Sequence, residues 1–307
     1  MPTLRSITES DLPELGELLD DVFRRNRGIT DQNMLADFPL VFDPSNYSNC
    51  HVIVEDGRIV SHAAYWERAL VVGEARLKVG VVVAVSTDPD YRQRGHAAAL
   101  MRSLQESIHQ EGYDLGLLWT GVPDFYRKLG WETVSPEGWL FDMGSAQLRE
   151  TGCDAVRFID GQYLDDIIAL YKQEPVRFTR TRDESVALLS LPKIDIWTAV
   201  DNGSARAYLV YGGGVNKPGI IEYGGDATGI VGLLSHVLET EPQSRNRPFL
   251  AFHARPDIIE QLTASGARKH PLESSKGHGS EMIYVVNPAS VTSDVRERLF
   301  TWGLDQA

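Results

Sequence analysis

Cysteine is scarce in this chain, with only two in 307 residues. Cys50 and Cys153 lie far apart and have neither metal-ligand nor redox spacing, which excludes a disulfide framework and a zinc site as organising features. His253, His270 and His278 show no ligand spacing either, so we expect no metal site. Stability must therefore come from an ordinary apolar core.

Long apolar runs are also missing. The longest candidate, Val79 to Val85, is far shorter than the roughly 20 residues that span a membrane. The N-terminus lacks the uninterrupted apolar core of a secretory signal. We therefore expect a cytoplasmic protein without a membrane partner.

Positive charge is outnumbered, with 30 Lys and Arg against 43 Asp and Glu, for a net charge of −13. Such a balance argues against nucleic acid as a partner and favours a cationic substrate such as an amine. The hydrophobic fraction of 42% is ordinary for a soluble globular protein, and the length indicates about two domains.

The most informative segment runs from Val82 to Leu100 and joins an apolar run to a helix of small residues. Its loop carries Arg92, Arg94 and Gly95. The start of a helix exposes unpaired N–H groups and the positive end of the helix dipole, so this loop is predicted to bind a diphosphate. Gly95 would let the backbone approach such a ligand closely.

The spacing Arg92-x-x-Gly95-x-Ala97 resembles the acetyl-CoA-binding motif of the GNAT acetyltransferase superfamily, written Arg/Gln-x-x-Gly-x-Gly/Ala. The preceding Thr-Asp-Pro-Asp-Tyr is also common in that family. The resemblance implies that the strand before the loop aligns the pantetheine arm and the thioester through its N–H groups. The implied acetyl-CoA contacts are Val85, Ser86, Thr87, Arg92, Gln93, Arg94, Gly95, His96, Ala97 and Ala98.

The order of elements over residues 1–145 is similar to that of the same superfamily: strand, helix, hairpin strands, long strand, loop and helix. We therefore predict an α/β (α+β) fold in which a mixed, mostly antiparallel sheet is flanked by helices. Residues 1–150 are expected to form the catalytic, acetyl-CoA-binding domain.

Residues 151–307 are predicted to form a second, degenerate unit of the same type, which a strand at Met282 to Val286 completes. In place of the phosphate-binding loop it has Tyr223 to Thr228, without arginine and with Asp226, which would repel a diphosphate. Such a tandem resembles the enhanced intracellular survival group of aminoglycoside and lysine acetyltransferases. We expect this chain to lack the C-terminal sterol-carrier-like domain usual in that group, so its substrate assignments cannot be transferred.

Pro123 to Trp131 looks like the family's Phe-Tyr-x-x-x-Gly-Phe/Tyr element. The resemblance implies that Tyr126 protonates the departing thiolate, while a purely structural tyrosine is the alternative. No cysteine lies in the motif, so direct attack is expected.

The general base stays open, because the strand Val79 to Val85 has no carboxylate. His62 and Glu67 lie on the preceding strand, and alternation puts them on opposite faces. The terminal carboxylate of Ala307 is a third candidate, since related tandem proteins are thought to insert their C-terminus into the active site.

The resulting hypothesis is an acetyl-CoA-dependent N-acetyltransferase that acts on a primary amine of a small molecule or a peptide. The rival is a catalytically silent acyl-CoA-binding sensor or interaction protein. Both leave room for a homo-oligomer.

Overall fold

The computed structural model describes residues 1–30, 33–134, 138–144, 146, 148, 154–212, 219–241, 248–252, 255–271 and 280–299. The strands in chain order are β1 (Thr3–Ser6), β2 (Cys50–Glu55), β3 (Arg58–Val72), β4 (Ala75–Thr87), β5 (Leu115–Thr120), β6 (Glu132–Thr133), β7 (Gly138–Asp142), β8 (Asp154–Arg157), β9 (Val176–Phe178), β10 (Ile194–Asp201), β11 (Ser204–Gly212), β12 (Gly219–Gly225), β13 (Pro248–Phe252), β14 (Arg268–Pro271) and β15 (Ser280–Val285). The α-helices are α1 (Leu12–Phe23), α2 (Met34–Asp37), α3 (His96–Gln110), α4 (Pro123–Arg127), α5 (Leu164–Tyr171), α6 (Arg182–Leu189), α7 (Ala227–Thr240), α8 (Pro256–Ala264) and α9 (Ser293–Arg298).

The chain divides into two compact units. The described residues of 1–70, 75–134 and 274–293 form unit 1, and those of 71–74, 135–273 and 294–307 form unit 2. The units are therefore not the two contiguous segments that a boundary at residue 150 describes. The division of function between residues 1–150 and 151–307 stays a prediction.

The sheet of unit 1 has the order β1-β2-β3-β4-β5-β15-β6. The pairs β1–β2, β2–β3 and β5–β15 are antiparallel, while β4–β5 is parallel. One face is covered by α1, whose Leu15 and Leu19 are fully buried. The other face is covered by α3 through Leu100, Leu104 and Ile108 at helical spacing. Two layers of helix thus enclose the strands.

Two strands lie in the other unit from the one that a boundary at residue 150 gives them. The strand predicted at Met282 to Val286 exists as β15, but its assignment to the second unit is wrong, because it pairs with β5 and β6 in unit 1. Conversely, β7 pairs with β13 and β14 in unit 2. Alternating apolar residues specify a strand and its buried face, but they do not specify which sheet edge receives it.

Unit 2 contains two sheets, ordered β12-β11-β10-β8 and β13-β7-β14. The pairs within both sheets are antiparallel. An apolar cluster in this unit includes Ile230, Leu233 and Leu234 of α7, packed with Phe141 of β7 and Phe249 of β13. The predicted α/β class with mostly antiparallel sheets is therefore confirmed.

A buried ion pair fixes the strand pair β11–β12 in unit 2. Both guanidinium ends of Arg180 donate to Glu222, at 3.1 and 2.6 Å, and the Tyr208 hydroxyl donates to the same carboxylate at 2.9 Å. The Arg180 guanidinium also lies 3.8 Å from the ring centre of Tyr171. All the polar atoms of this group depend on one another, because water is excluded from them.

Substituting Arg180→Met should lower the free energy of unfolding of unit 2 by about 3 to 5 kcal/mol, because Glu222 is then left in the core without its cation. Arg206→Met is the matched control. It removes a partly exposed pair with Asp226 and should cost under about 1 kcal/mol. Urea unfolding of the original protein and of both variants measures the change in the free energy of unfolding. Equal losses in the two variants would contradict the prediction.

Candidate functional site

The first feature of the site is a gap between β4 and β5. Their parallel register covers Val79 to Val81 against Leu115 to Leu117. Beyond it, β4 continues to Thr87 and β5 to Thr120, and no pairing between them is found among the described residues. We call this gap the wedge. It exposes the facing backbone edges of two strands, which is where an extended ligand could add its own hydrogen bonds.

The second feature is a β-bulge on β4, beside the wedge. Val82 and Val85 pack into the core under α3, whereas Val83 and Ala84 both pack toward the core under α1. Two successive residues on one face break the period-two alternation, and Ala84 has a φ of +53°. The bulge therefore resets which backbone groups of the following residues point toward β3 and which point into the wedge.

The N–H groups predicted to align a thioester, those of Val85 and Thr87, lie on the wedge edge. Asp88 N donates to Val60 O of β3 at 2.9 Å, and Ser86 O accepts from Ser61 of β3. Ser86 and Asp88 thus face β3. Because backbone groups alternate along a strand, those of Val85 and Thr87 face the other way.

The third feature is the loop at Tyr91 to Ala98, which we call the cradle loop. Gly95 is the N-cap of α3 with a φ of +85°, and Gln93 has a φ of +64°. Among the described hydrogen bonds, none uses the N–H groups of Gln93 to Ala98, and the first one of the helix runs from Ala99 N to Gly95 O. Successive free N–H groups around left-handed residues form a concave anion-binding surface at the positive end of the helix.

Both arginines of the cradle loop are exposed, and both are oriented by the protein. Arg94 donates to Glu55 Oε1 and to the Asp90 carbonyl, each at 3.0 Å, and it stacks on Tyr91. Arg92 Nε donates to Thr87 O at 3.3 Å. The buried His96 places its Nε2 atom 3.0 Å from the other Glu55 oxygen. Glu55 thus organises this side of the loop, a role that no local sequence signal indicated.

Tyr126 lies on α4, a single helical turn that starts with Pro123 after the end of β5. Its side chain is 7% exposed, between Phe125 and Trp131. Burial raises the pKa of Tyr126 to about 12, although a hydrogen bond with Thr120 at the end of β5 opposes the shift. The hydroxyl therefore keeps its proton at neutral pH and can act as an acid at the mouth of the wedge.

The base candidates have other partners. Glu67 accepts from the Tyr113 hydroxyl at 2.9 Å and pairs with Lys78 at 3.3 Å. His62 is fully buried, and its Nδ1 lies 2.8 Å from Ala84 O. Ala307 lies outside the described residues, as does Cys153. Cys50 is buried, and desolvation raises the pKa of its thiol to about 12, which leaves it a poor nucleophile.

His62 should make the protein sensitive to acid. Burial lowers its pKa from 6.5 to about 4. Between these values the unfolded chain takes up a proton that the folded chain does not, so stability falls as the pH drops through that window. The loss is on the order of 3 kcal/mol for this one group. We expect the urea concentration at half-unfolding to decrease as the pH is lowered from 7 to 4, and to decrease less in His62→Asn. An equal decrease in His62→Asn would contradict the assignment of this acid sensitivity to His62.

At the corresponding place in unit 2, carboxylates take the N–H groups. Asp226 caps α7 by accepting from Gly229 N at 2.8 Å, and Arg206 pairs with it. Glu174 accepts from Gly225 N at 3.3 Å and from Arg255 at 2.7 Å. The N–H groups of Gly225 and Gly229 are therefore occupied by carboxylates that are themselves paired with Arg255 and Arg206. That this unit does not bind a diphosphate stays a prediction.

The described residues contain no group of three or more His, Cys, Asp or Glu side chains placed to hold a metal ion. No helix among them is long and apolar enough to cross a membrane.

The site thus combines a parallel strand pair that opens into a wedge, a bulge on one of the two strands and a helix start with free N–H groups. A family model described as an acetyltransferase (GNAT) domain matches residues 3–134. This part of the chain is therefore similar to GNAT acetyltransferase domains. No curated protein gives a significant match to the sequence.

Solved structures match nearly the whole chain. A GCN5-related N-acetyltransferase from Anabaena variabilis has a TM-score of 0.66 at 14% identity, covering 94% of this chain and 73% of its own. A protein from Enterococcus faecalis described as a probable N-acyltransferase has 0.71 at 14%, covering 95% and 74%. Eis1 from Mycobacterium abscessus has 0.60 at 14%, covering 93% and 74%. At such identities the likeness shows a shared fold.

Proposed function

We propose that this protein is an acetyl-CoA-dependent N-acetyltransferase that moves an acetyl group to a primary amine. One observation carries the proposal: the free N–H groups of Gln93 to Ala98 stand at the start of α3, directly after the strand that borders the wedge. This arrangement fits a diphosphate at the cradle loop and an extended arm along β4.

In this proposal each residue has a limited task. The cradle loop holds the diphosphate, with Arg92 and Arg94 adding positive charge. Val85 N–H is a donor to the thioester oxygen as negative charge develops there. Tyr126 holds a proton at its hydroxyl for the departing sulfur. The coenzyme supplies an acetyl group already activated as a thioester.

The transfer is balanced without a covalent enzyme intermediate. The amine nitrogen forms a bond to the acetyl carbon, the carbon–sulfur bond breaks, and the sulfur leaves with the proton from Tyr126. The amine nitrogen gives up one proton to solvent water, and Tyr126 regains one from solvent, so the protons balance. His62 and Glu67 already have the partners described above. We further propose a cationic acceptor and a cytoplasmic location, because the chain carries a net charge of −13 and the domain needs acetyl-CoA.

The test is release of free thiol from acetyl-CoA in the presence of polyamines, aminoglycosides, lysine peptides or amino acids. Turnover with one class, lost in a Gly95 variant, would support the enzyme and identify its acceptor. Tight CoA binding without turnover on any amine would favour the sensor. Absence of both binding and turnover would overturn the two interpretations together.

A further inference from the structure

Two neighbouring side chains of β3 hydrogen-bond to the two backbone carbonyls of β4 that face β3 at the bulge. The imidazole Nδ1 of His62 lies 2.8 Å from Ala84 O, and the Ser61 hydroxyl lies 2.6 Å from Ser86 O. A carbonyl can only accept, so Nδ1 carries the proton and Ser61 is the donor. Ser61 Oγ also lies 2.8 Å from Thr87 Oγ1, from which it therefore accepts.

These two bonds fix the direction of the N–H groups in the wedge. Ala84 C=O and Val85 N–H belong to one peptide unit, and Ser86 C=O and Thr87 N–H belong to another. In a trans peptide the C=O and the N–H point to opposite sides, and the structure has no cis bond among its described residues. Holding each carbonyl toward β3 therefore aims the N–H of the next residue into the wedge.

We infer that Ser61 and His62 are positioning residues. By holding the carbonyls of Ser86 and Ala84, they aim the N–H groups of Thr87 and Val85 into the wedge, toward the pantetheine arm and the thioester oxygen. The inference rests on the proposed acetyl transfer, because these N–H groups have a catalytic use only when a thioester lies along β4.

The side chains of Ser61 and His62 are held rigidly by the buried residues around them. The side chains of Ser61 and His62 are 0% exposed, and the His62 ring packs against Phe42 at 5.8 Å between ring centres. Ala84 would otherwise hold its φ of +53° without compensation, which a residue with a Cβ adopts only at some cost. The bonds from β3 are the described contacts that stabilise this conformation.

The test compares His62→Leu with His62→Asn. Asparagine can place its amide nitrogen where the imidazole carries Nδ1, whereas leucine fills similar space without a donor. We expect leucine to lower kcat roughly 10- to 100-fold with the Kd for CoA changed less than about threefold, because the cradle loop is untouched. Asparagine should restore kcat to within about fivefold of the original protein. Ser61→Ala should show a smaller loss of the same kind.

A second readout does not depend on turnover. In ¹⁵N spectra of the imidazoles, the signal that disappears in His62→Asn must show a protonated Nδ1 and an unprotonated Nε2. The opposite tautomer would overturn the inference even if His62→Leu failed to fold. Equal kcat in the original protein and His62→Leu would also overturn it, while loss of CoA binding and turnover in the original protein would instead reject the proposed function.

Discussion

Gly95→Ala is expected to weaken CoA binding at least a hundredfold. At this residue a Cβ atom would meet no protein atom within 4 Å, so it would stand in the open concave surface of the cradle loop. A methyl group there would hold a phosphate away from the free N–H groups of α3. Each charge-assisted hydrogen bond is worth about 1.5 to 3 kcal/mol, so losing two of them accounts for the expected change. Calorimetric titration with CoA measures it.

Gly112→Ala is the matched control, because Gly112 follows the other end of α3. It has a φ of +68°, against +85° at Gly95, and a Cβ there also meets nothing within 4 Å. Both variants should therefore lose about 1 kcal/mol of stability from the left-handed backbone. Only Gly95→Ala should lose affinity. If both variants bound CoA equally well, the cradle loop would not be the diphosphate site.

The cradle loop was predictable because its information is local. A glycine at a left-handed N-cap, two arginines and a helix of small residues follow one another in the sequence, and the structure starts α3 at His96 as that pattern requires. The short helix at Pro123–Arg127 was predictable for the same reason, with proline at its first position.

The supports of the site were not predictable, because they join distant segments. Ser61 and His62 reach residues 25 and 22 positions away, and Glu55 reaches Arg94 across 39. The bulge at Ala84 interrupts a run of valines that reads as one regular strand. The placement of β7 in unit 2 and of β15 in unit 1 could not be predicted for a related reason. The residue pattern of a strand determines which face is buried, but it does not determine the partner strand.

Tyr126→Phe is expected to lower kcat roughly 100- to 1,000-fold while leaving the Kd for CoA nearly unchanged, since a positioned general acid contributes on that scale. Phenylalanine keeps the packing against Phe125 and Trp131 and removes only the hydroxyl. Steady-state thiol release gives kcat, and titration gives the Kd. A sensor protein would show no turnover to lose, and the variant would bind CoA as the original does.

Tyr113→Phe controls for the loss of a buried hydroxyl, because Tyr113 is 1% exposed and donates to Glu67 away from the wedge. It should cost stability and leave kcat within about twofold, as hydrogen bonds of this kind contribute roughly 1 kcal/mol.

The pH dependence of kcat is an independent check on the role of Tyr126. With the pKa of Tyr126 raised to about 12, its acid form persists throughout the range in which the amine loses its proton. The rate should therefore rise with pH without a descending limb from Tyr126 below about pH 11. A fall in kcat near pH 8 that vanishes in Tyr126→Phe would mean that the tyrosine titrates far lower and does not serve as the acid in this way.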